Sequence, residues 1–121
     1  MTKWLFGTAL ALGCALAAPA RAASFDCSQA LTPDEHAVCA NPALSALDSE
    51  MGGLWYAYSR VPMLMGGSGN RRDAAQAFLA DRRQCGDNVA CLERVYRARI
   101  GALRQGIDAA MAEFGRAEGT R

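Results

Sequence analysis

Four cysteines carry the most specific chemical signal in this 121-residue sequence. Cys27 and Cys39 have 11 residues between them, and Cys85 and Cys91 have five, in the segment CGDNVAC. Thiol oxidoreductases commonly use C-x-x-C, and zinc sites use cysteines about two to four residues apart or added histidines, whereas His36 is the only histidine here. Both spacings therefore favour disulfides. Four cysteines permit three connectivities, and we favour Cys27–Cys39 with Cys85–Cys91 because each pair is local and spans a predicted helix boundary.

The first 22 residues predict a secretory signal peptide. Lys3 forms a short positive region, residues 4–18 form an uncharged apolar run, and ARA at 20–22 supplies the small residues of a cleavage site after Ala22. The run is shorter than the ~20 residues that a bilayer-spanning helix requires. Lipidation at Cys14 is disfavoured because the preceding ALG has an unusual order for such a site. We therefore expect a periplasmic or secreted protein without a membrane span in its mature chain, in a compartment where disulfides persist.

Charge argues against two classes of partner. Without Lys3 and Arg21, the 13 basic residues fall to 11, all arginines, against 12 acidic residues, so the mature chain has a net charge of −1. Nucleic-acid binding and polybasic membrane binding both require a clear positive excess on one surface. The residues from 23 onward suffice for one compact domain. We predict that residues 23–114 form this domain and that residues 115–121 are a disordered tail.

Capping residues and apolar spacing predict an all-α fold. Thr32 and Pro33 are suited to begin a short helix, and helices are expected over 32–39, 42–61, 71–85 and 88–114. The segment MGGSGN at 65–70 is expected to be a flexible connector, and Gly52 and Gly53 are expected to mark a close packing contact or a bend. These elements predict a small disulfide-stabilised helical hairpin or bundle of three main helices plus one short N-terminal helix.

The remaining polar residues form no catalytic constellation, and we expect a protein that is not an enzyme and holds neither a metal nor another cofactor. His36 has no nucleophile placed beside it, and Asp48 and Glu50 fall on different faces of one predicted helix. Asp48, Arg82 and Arg99 each lie close to the row of apolar residues, or apolar stripe, on one face of its predicted helix. An ion pair of Asp48 with Arg82 or with Arg99, between helices, is therefore the expected role of these residues.

Arginines on the third predicted helix are candidates for contact with a protein partner. Arg71 and Arg82 are 11 residues apart, as are Arg72 and Arg83, so on a continuous helix the two doublets lie about three turns apart on one face. Arginine suits a carboxylate because its planar fork makes two parallel hydrogen bonds. A structural or solvated role is the alternative for each arginine.

The loop before that helix supplies a second candidate surface. Met63, Leu64 and Met65 are adaptable apolar residues that either insert into a partner or pack over the end of the helix pair. The candidate partner-binding residues are therefore Met63, Leu64, Met65, Arg71, Arg72 and Arg83.

Longer motifs resemble the N-terminal domain of the LprI lysozyme-inhibitor family. SFDCSQALTPDEHAVCANPALSALDSEM at 24–51, followed by Tyr56, resembles its opening, and QAFLADRRQC and CLERVYRARIGAL resemble its second half. The resemblance covers about residues 24–103. It implies an exported, disulfide-stabilised helical domain, in a family some of whose members inhibit lysozyme.

The expected function follows from this resemblance. It implies an exported protein that binds a protein partner without catalysis, with lysozyme as the first candidate. The alternatives are a helical adaptor or structural protein of the cell envelope and, less favoured, a thiol-redox enzyme. These alternatives assign different roles to the two cysteine pairs and to the candidate arginines and methionines.

Overall fold

The structure is a computed structural model that describes residues 23–63 and 66–120. Over these residues it contains no strand, and its elements are a 3₁₀ turn at Cys27–Gln29, α1 at Pro33–Ala40, α2 at Pro42–Ser59, α3 at Gly67–Cys85 and α4 at Val89–Gly119. The predicted all-α fold, with one short helix and three longer ones, is confirmed. The predicted signal peptide and Cys14 lie outside the described residues. Among the helices that are described, none combines the length and apolarity that crossing a bilayer requires.

Polar side chains mark the starts of three helices. The Glu35 carboxylate accepts the backbone N–H of Leu31 at 2.7 Å just before α1, and this hydrogen bond lowers the pKa of Glu35. The side chain of Asn41 accepts two backbone N–H groups in the first turn of α2. The side chain of Asn88 does the same for one N–H group in α4. These side chains satisfy N–H groups that have no partner within the helix, so they fix where each helix begins.

The start of α3 differs from the prediction. The glycine-rich segment 65–70 is predicted to be a flexible connector, but α3 begins at Gly67, directly after Gly66 with a φ of +95°. A Cβ atom on Gly67 would lie 3.2 Å from the sulfur of Met63, so the first turn of α3 packs closely against the preceding segment. Packing therefore stabilises a helical turn that the preferences of its residues disfavour.

The end of α4 also differs. The helix continues to Gly119, so the prediction of a disordered tail is wrong for residues 115–119. Met111 and Phe114, which end the predicted helix over 88–114, are 63% and 44% exposed. At ~1.5 Å per residue, the 31 residues of α4 span ~46 Å and the 18 residues of α2 span ~27 Å. α4 therefore extends past the helices that pack against it.

The three long helices alternate in direction around a common core. Asp48 on α2 contacts Tyr96 on α4, and Tyr58, ten residues later, packs against Gly106, also ten residues later, so α2 and α4 are parallel. α3 runs in the opposite direction, and the ring of Phe78 meets the edge of Tyr96 with ring centroids 5.3 Å apart. The buried apolar residues come from all four helices: Val38, Leu44, Phe78, Cys85, Leu92, Tyr96, Ile100 and Leu103.

The two adjacent glycines of α2 have different surroundings. A Cβ atom on Gly52 would lie 2.8 Å from the Cβ atom of Ser24, whereas one on Gly53 would meet nothing within 4 Å. The predicted close packing contact is therefore confirmed at Gly52 only. The chain segment before the 3₁₀ turn rests on α2 at this point.

Candidate functional site

The four cysteines form two disulfides, Cys27–Cys39 and Cys85–Cys91, and the favoured connectivity is confirmed. The first disulfide joins the 3₁₀ turn to α1, and the second joins the last residue of α3 to the first turn of α4. Both cross a boundary between elements, as the local pairing predicts. A disulfide at such a boundary restricts the unfolded chain, which favours a structural role.

Arg82 lies in the core, and its partner is not the predicted one. Its Nε donates to Oδ2 of Asp34 at 2.6 Å, with side chains 8% and 1% exposed. The expected ion pair with Asp48 is not formed. Burial by itself raises the pKa of Asp34, but the nearby Thr32 hydroxyl and the Arg82 guanidinium outweigh burial, so this pKa lies below its usual value. The ion pair connects α1 to α3, which packs the short helix against the bundle.

Tyr96 extends this contact to α2. Its hydroxyl donates to Oδ1 of Asp48 at 2.7 Å and accepts a hydrogen bond from Nη1 of Arg82 at 3.4 Å. The backbone N–H of Ser24 donates to Oδ2 of Asp48 at 2.5 Å. Burial, together with the charge of Asp48, raises the pKa of Tyr96 well above its usual value, so the hydroxyl keeps the proton that it donates. Asp34, Asp48, Arg82 and Tyr96 thus form one buried polar network, with one member from each helix.

All four members of the polar network stand in the segments that carry the family resemblance. Asp34 stands in TPDEHAVC, Asp48 ends the segment PALSALD, Arg82 stands in RRQC, and Tyr96 stands in CLERVY. A buried polar network whose members are paired favours one arrangement of the helices. These motif residues therefore stabilise the fold and are buried, so a candidate binding surface consists of other residues.

The two arginine doublets do not present one face. Arg71 donates from Nη1 to two backbone oxygens at the C-terminal end of α2, at 2.5 and 3.0 Å, and is half-buried. Arg82 belongs to the polar network, whereas Arg72 and Arg83 are exposed. The prediction that both doublets lie on one face is wrong, because neighbouring residues on a helix point about 100° apart and α3 packs on one side only. Arg72 and Arg83 are the more exposed members of the doublets, on the side of α3 away from the core.

The predicted apolar loop is described only at its first residue. Met63 is half-buried and packs beside the first turn of α3, where Gly67 leaves space for its side chain. This contact corresponds to the predicted alternative of packing over the end of the helix pair. Leu64 and Met65 lie outside the described residues.

A groove runs between α3 and α4 and consists of two adjoining cavities that share Ala74 and Arg99. The cavity near the start of α3 has a volume of about 340 Å³, and its wall includes Tyr58, Met63, Asn70, Arg71 and Leu103. The other has a volume of about 420 Å³, and its wall includes Ala77, Phe78, Asp81, Arg94, Val95 and Ala98. We refer to the two cavities together as the α3–α4 groove. It places Met63 and Arg71, two of the predicted binding residues, in one continuous surface.

Arg99 lies where the two cavities meet. It is not among the residues predicted from the sequence to bind a partner. Its guanidinium carbon lies 5.6 Å from the centroid of the Trp55 ring, and the expected pairing with Asp48 is not formed. Its Nε is buried without a hydrogen-bond partner in the described part of the chain. Burial lowers the pKa of Arg99, and Tyr58 offsets this only in part. The sequence signal was its position three residues after Tyr96, at the edge of the apolar stripe.

A second open surface lies on α2. Tyr56 is 61% exposed, and the guanidinium of Arg60 lies 3.5 Å from the centroid of its ring. Around them is an open cavity of about 490 Å³ whose lining also includes Ser24, Ser49, Gly52 and Ser59. This lining contains neither an acidic residue nor a histidine.

Groups that ligate metals are dispersed in residues 23–63 and 66–120. No three His, Cys, Asp or Glu side chains are grouped in a way that could hold a metal ion within this part of the chain. His36 is exposed on α1. The α3–α4 groove combines charged and apolar groups in one surface: Arg71, Asp81, Arg94 and Arg99 beside Met63, Phe78, Val95 and Leu103.

No protein-family model, curated protein or solved structure matches this chain. The resemblance to the LprI family accordingly rests on the sequence motifs alone. The fold and the α3–α4 groove are the physical basis for a functional proposal.

Proposed function

We propose that this chain is an exported, non-catalytic binding protein of the LprI lysozyme-inhibitor type, which acts on a protein partner. The two disulfides support export, because disulfides persist in oxidising compartments such as the periplasm. The buried polar network and these disulfides support a rigid scaffold, which reduces the entropy lost on binding. Lysozyme is the first candidate partner because of the sequence resemblance.

The observation that carries the proposal is the α3–α4 groove. It combines apolar walls with three arginines, Arg71, Arg94 and Arg99, against one acidic residue, Asp81. Glycoside hydrolases such as lysozyme present two carboxyl groups at the site of cleavage. Arginine is the side chain best suited to pair with carboxylates, so the charge of this surface fits such a partner.

Lysis of a bacterial cell-wall suspension tests the proposal. The purified protein is added to lysozymes of the c-type and the g-type, and the clearing rate is recorded. We expect at least one class to be slowed at micromolar concentrations of the protein. Unchanged rates for both classes at micromolar excess would remove lysozyme as the partner.

Charge reversal locates the surface. Arg94→Glu, which reverses the charge of an exposed arginine in the wall of the groove, is expected to weaken inhibition by about tenfold or more, since the reversed charge opposes a carboxylate of the partner. Arg116→Glu is the matched control, because Arg116 is also exposed but lies in the extended end of α4. Equal inhibition by the two variants would show that the α3–α4 groove is not the contact.

An envelope adaptor is the second candidate. The exposed Met111 and Phe114 on the extended end of α4 favour it, since large apolar residues exposed together often contact another protein. Capture on the immobilised protein from a periplasmic extract distinguishes the candidates. Recovery of one non-lysozyme protein, lost in the variant Met111→Ser and Phe114→Ser, would favour the adaptor.

A thiol-redox enzyme is tested by thiol titration of the exported protein. Cys27, Cys39, Cys85 and Cys91 are all disulfide-bonded, so we expect none of them to react before reduction. A reactive thiol at Cys85 or Cys91 in the untreated protein would instead support redox chemistry.

A further inference from the structure

We propose that the cavity between Tyr58, Arg71 and Arg99 is a pocket for one carboxylate, presented by an Asp or Glu side chain of the protein partner. That the partner is a protein rests on the proposed function. The pocket identifies the chemical group through which the partner binds and the residues of this chain that contact that group.

Arg99 differs from the other arginines that contact the core or an acidic neighbour. Arg82 pairs with Asp34, Arg97 with Glu93, and Arg104 with Glu50. Arg99 takes part in none of the salt bridges of the described residues, although its Nε is completely buried without a hydrogen-bond partner among them. The guanidinium of Arg99 is half-buried with no anion beside it, and a carboxylate bound in the cavity would offset its charge.

The wall of the cavity reinforces the positive charge. Arg71 is the second cation, and the lining contains no acidic residue. The Nη1 atom of Arg71 is held by two backbone oxygens, which fixes its guanidinium at the edge of the cavity. Asn70 and Tyr58 add neutral hydrogen-bond donors. A bound anion would therefore meet two positive charges and no competing negative charge from this lining.

The shape and the remaining walls favour an amino-acid side chain over a free inorganic anion. The volume of about 340 Å³ is at the lower end of the usual range for ligand cavities. Met63, Ala74, Ala102 and Leu103 give apolar walls that suit the methylene groups of Asp or Glu. The second cavity adjoins this one at Ala74 and Arg99, and its Phe78 and Val95 offer an apolar surface to neighbouring residues of the same partner segment.

Tryptophan fluorescence can report on occupancy. Trp55 lies next to Arg99, and the only other tryptophan of the sequence, Trp4, lies in the predicted signal peptide, so the emission of the mature protein comes from Trp55. The probe is N-acetylglutamate N-methylamide, titrated to about 100 mM at constant ionic strength, because one side chain alone is expected to bind in the millimolar range. We expect a saturable change. The glutamine analogue is expected to give none, and sodium phosphate tests whether a free anion binds equally well.

Paired variants connect the signal to Arg99. Arg99→Gln is expected to weaken binding of the glutamate probe by about tenfold or more, because a charge-assisted hydrogen bond is lost. Arg97→Gln, in which an exposed arginine two residues away is changed, should bind as the parent does. Arg99 has no ion pair to lose, so Arg99→Gln should keep the parent circular-dichroism spectrum; if it does not, Arg99→Lys replaces it and should still weaken binding because the planar fork is lost. Equal binding by the Arg99 and Arg97 variants, no saturable change, or equal binding of phosphate would overturn the proposal.

The lysis assay separates this pocket from the proposed function. If the parent slows lysozyme and Arg99→Gln slows it equally, the function stands and the pocket is wrong. If the parent binds the glutamate probe through Arg99 but slows no lysozyme, the pocket stands and lysozyme is wrong as the partner.

Discussion

Tyr96 and Asp48 meet between α4 and α2, where the tyrosine hydroxyl lies 2.7 Å from the carboxylate and neither residue is exposed to solvent. Asp48 also receives the backbone N–H of Ser24, and Tyr96 also receives a hydrogen bond from Arg82. The contact therefore connects four parts of the domain, which are the segment around Ser24, α2, α3 and α4. Its removal should affect the whole domain.

Replacing Tyr96 with Phe removes the hydroxyl and keeps the ring that packs on Phe78. We expect the free energy of unfolding to fall by about 2–3 kcal/mol, because a buried carboxylate loses a donor. Urea unfolding followed by circular dichroism measures this change. Tyr56→Phe is the control: Tyr56 is 61% exposed, and its variant should differ from the parent by less than about 0.5 kcal/mol. Equal effects would contradict the role of the polar network.

Adjacent arginines of α3 should respond very differently to the same substitution. Arg82→Met leaves Asp34 buried without its cation and is expected to cost about 3–5 kcal/mol. Arg83→Met changes an exposed residue and should stay within about 0.5 kcal/mol of the parent. Both values come from urea unfolding at neutral pH. A small effect at Arg82 would mean that Asp34 is solvated or protonated.

We expect the contribution of Asp34 to the stability of the folded protein to decrease at acidic pH. The pKa of Asp34 in the folded protein lies below its reference value of 3.8, so the folded state favours the charged form. The resulting stabilisation is fully present above this reference value and is lost as the pH falls through the lowered pKa. The difference in stability between the parent and Asp34→Asn is therefore largest near neutral pH and shrinks below pH 3.8.

Urea unfolding at a series of pH values from neutral to strongly acidic measures this difference. Asp108→Asn, at an exposed position on α4, serves as the control and should follow the parent at every pH. A difference between the parent and Asp34→Asn that stays constant into acid would show that the carboxylate is not preferentially charged in the folded protein.

The two glycines of α2 provide a matched pair. Gly52→Ala places a methyl group 2.8 Å from the Cβ atom of Ser24, which displaces the segment that donates to Asp48. Gly53→Ala meets nothing within 4 Å and should stabilise the helix by about 1 kcal/mol. We expect Gly52→Ala to be less stable than Gly53→Ala by about 1–3 kcal/mol, since overpacking has that cost. Thermal unfolding of both variants decides the order, and the reverse order would contradict the close contact.

Local signals predicted much of the fold. Asn41 and Asn88 mark helix starts because their short side chains can reach backbone N–H groups that are close in sequence. The pairing of Cys85 with Cys91 could also be predicted, because so few residues separate them. In each case, the interaction that decides the structure is encoded within a few neighbouring residues.

Contacts between distant segments limited the prediction of the site. Asp34 and Arg82 are 48 residues apart, and nothing in their own segments distinguishes Asp34 from Asp48 as the partner. The start of α3 depends on packing against Met63, which local preferences do not include. Arg99 was identifiable as a residue near an apolar stripe, but its lack of an acidic partner becomes visible only when the helices are assembled.

Because α4 extends past the other helices, its exposed end is the segment that we expect to unfold locally first. Residues 111–120 are all exposed, so their amides can open without breaking a tertiary contact and should exchange with deuterium before those of Leu92 to Leu103. A protease specific for arginine would encounter Arg116 in this segment. Cleavage there would shorten the helix and leave the core that joins its other turns to α2 and α3 in place.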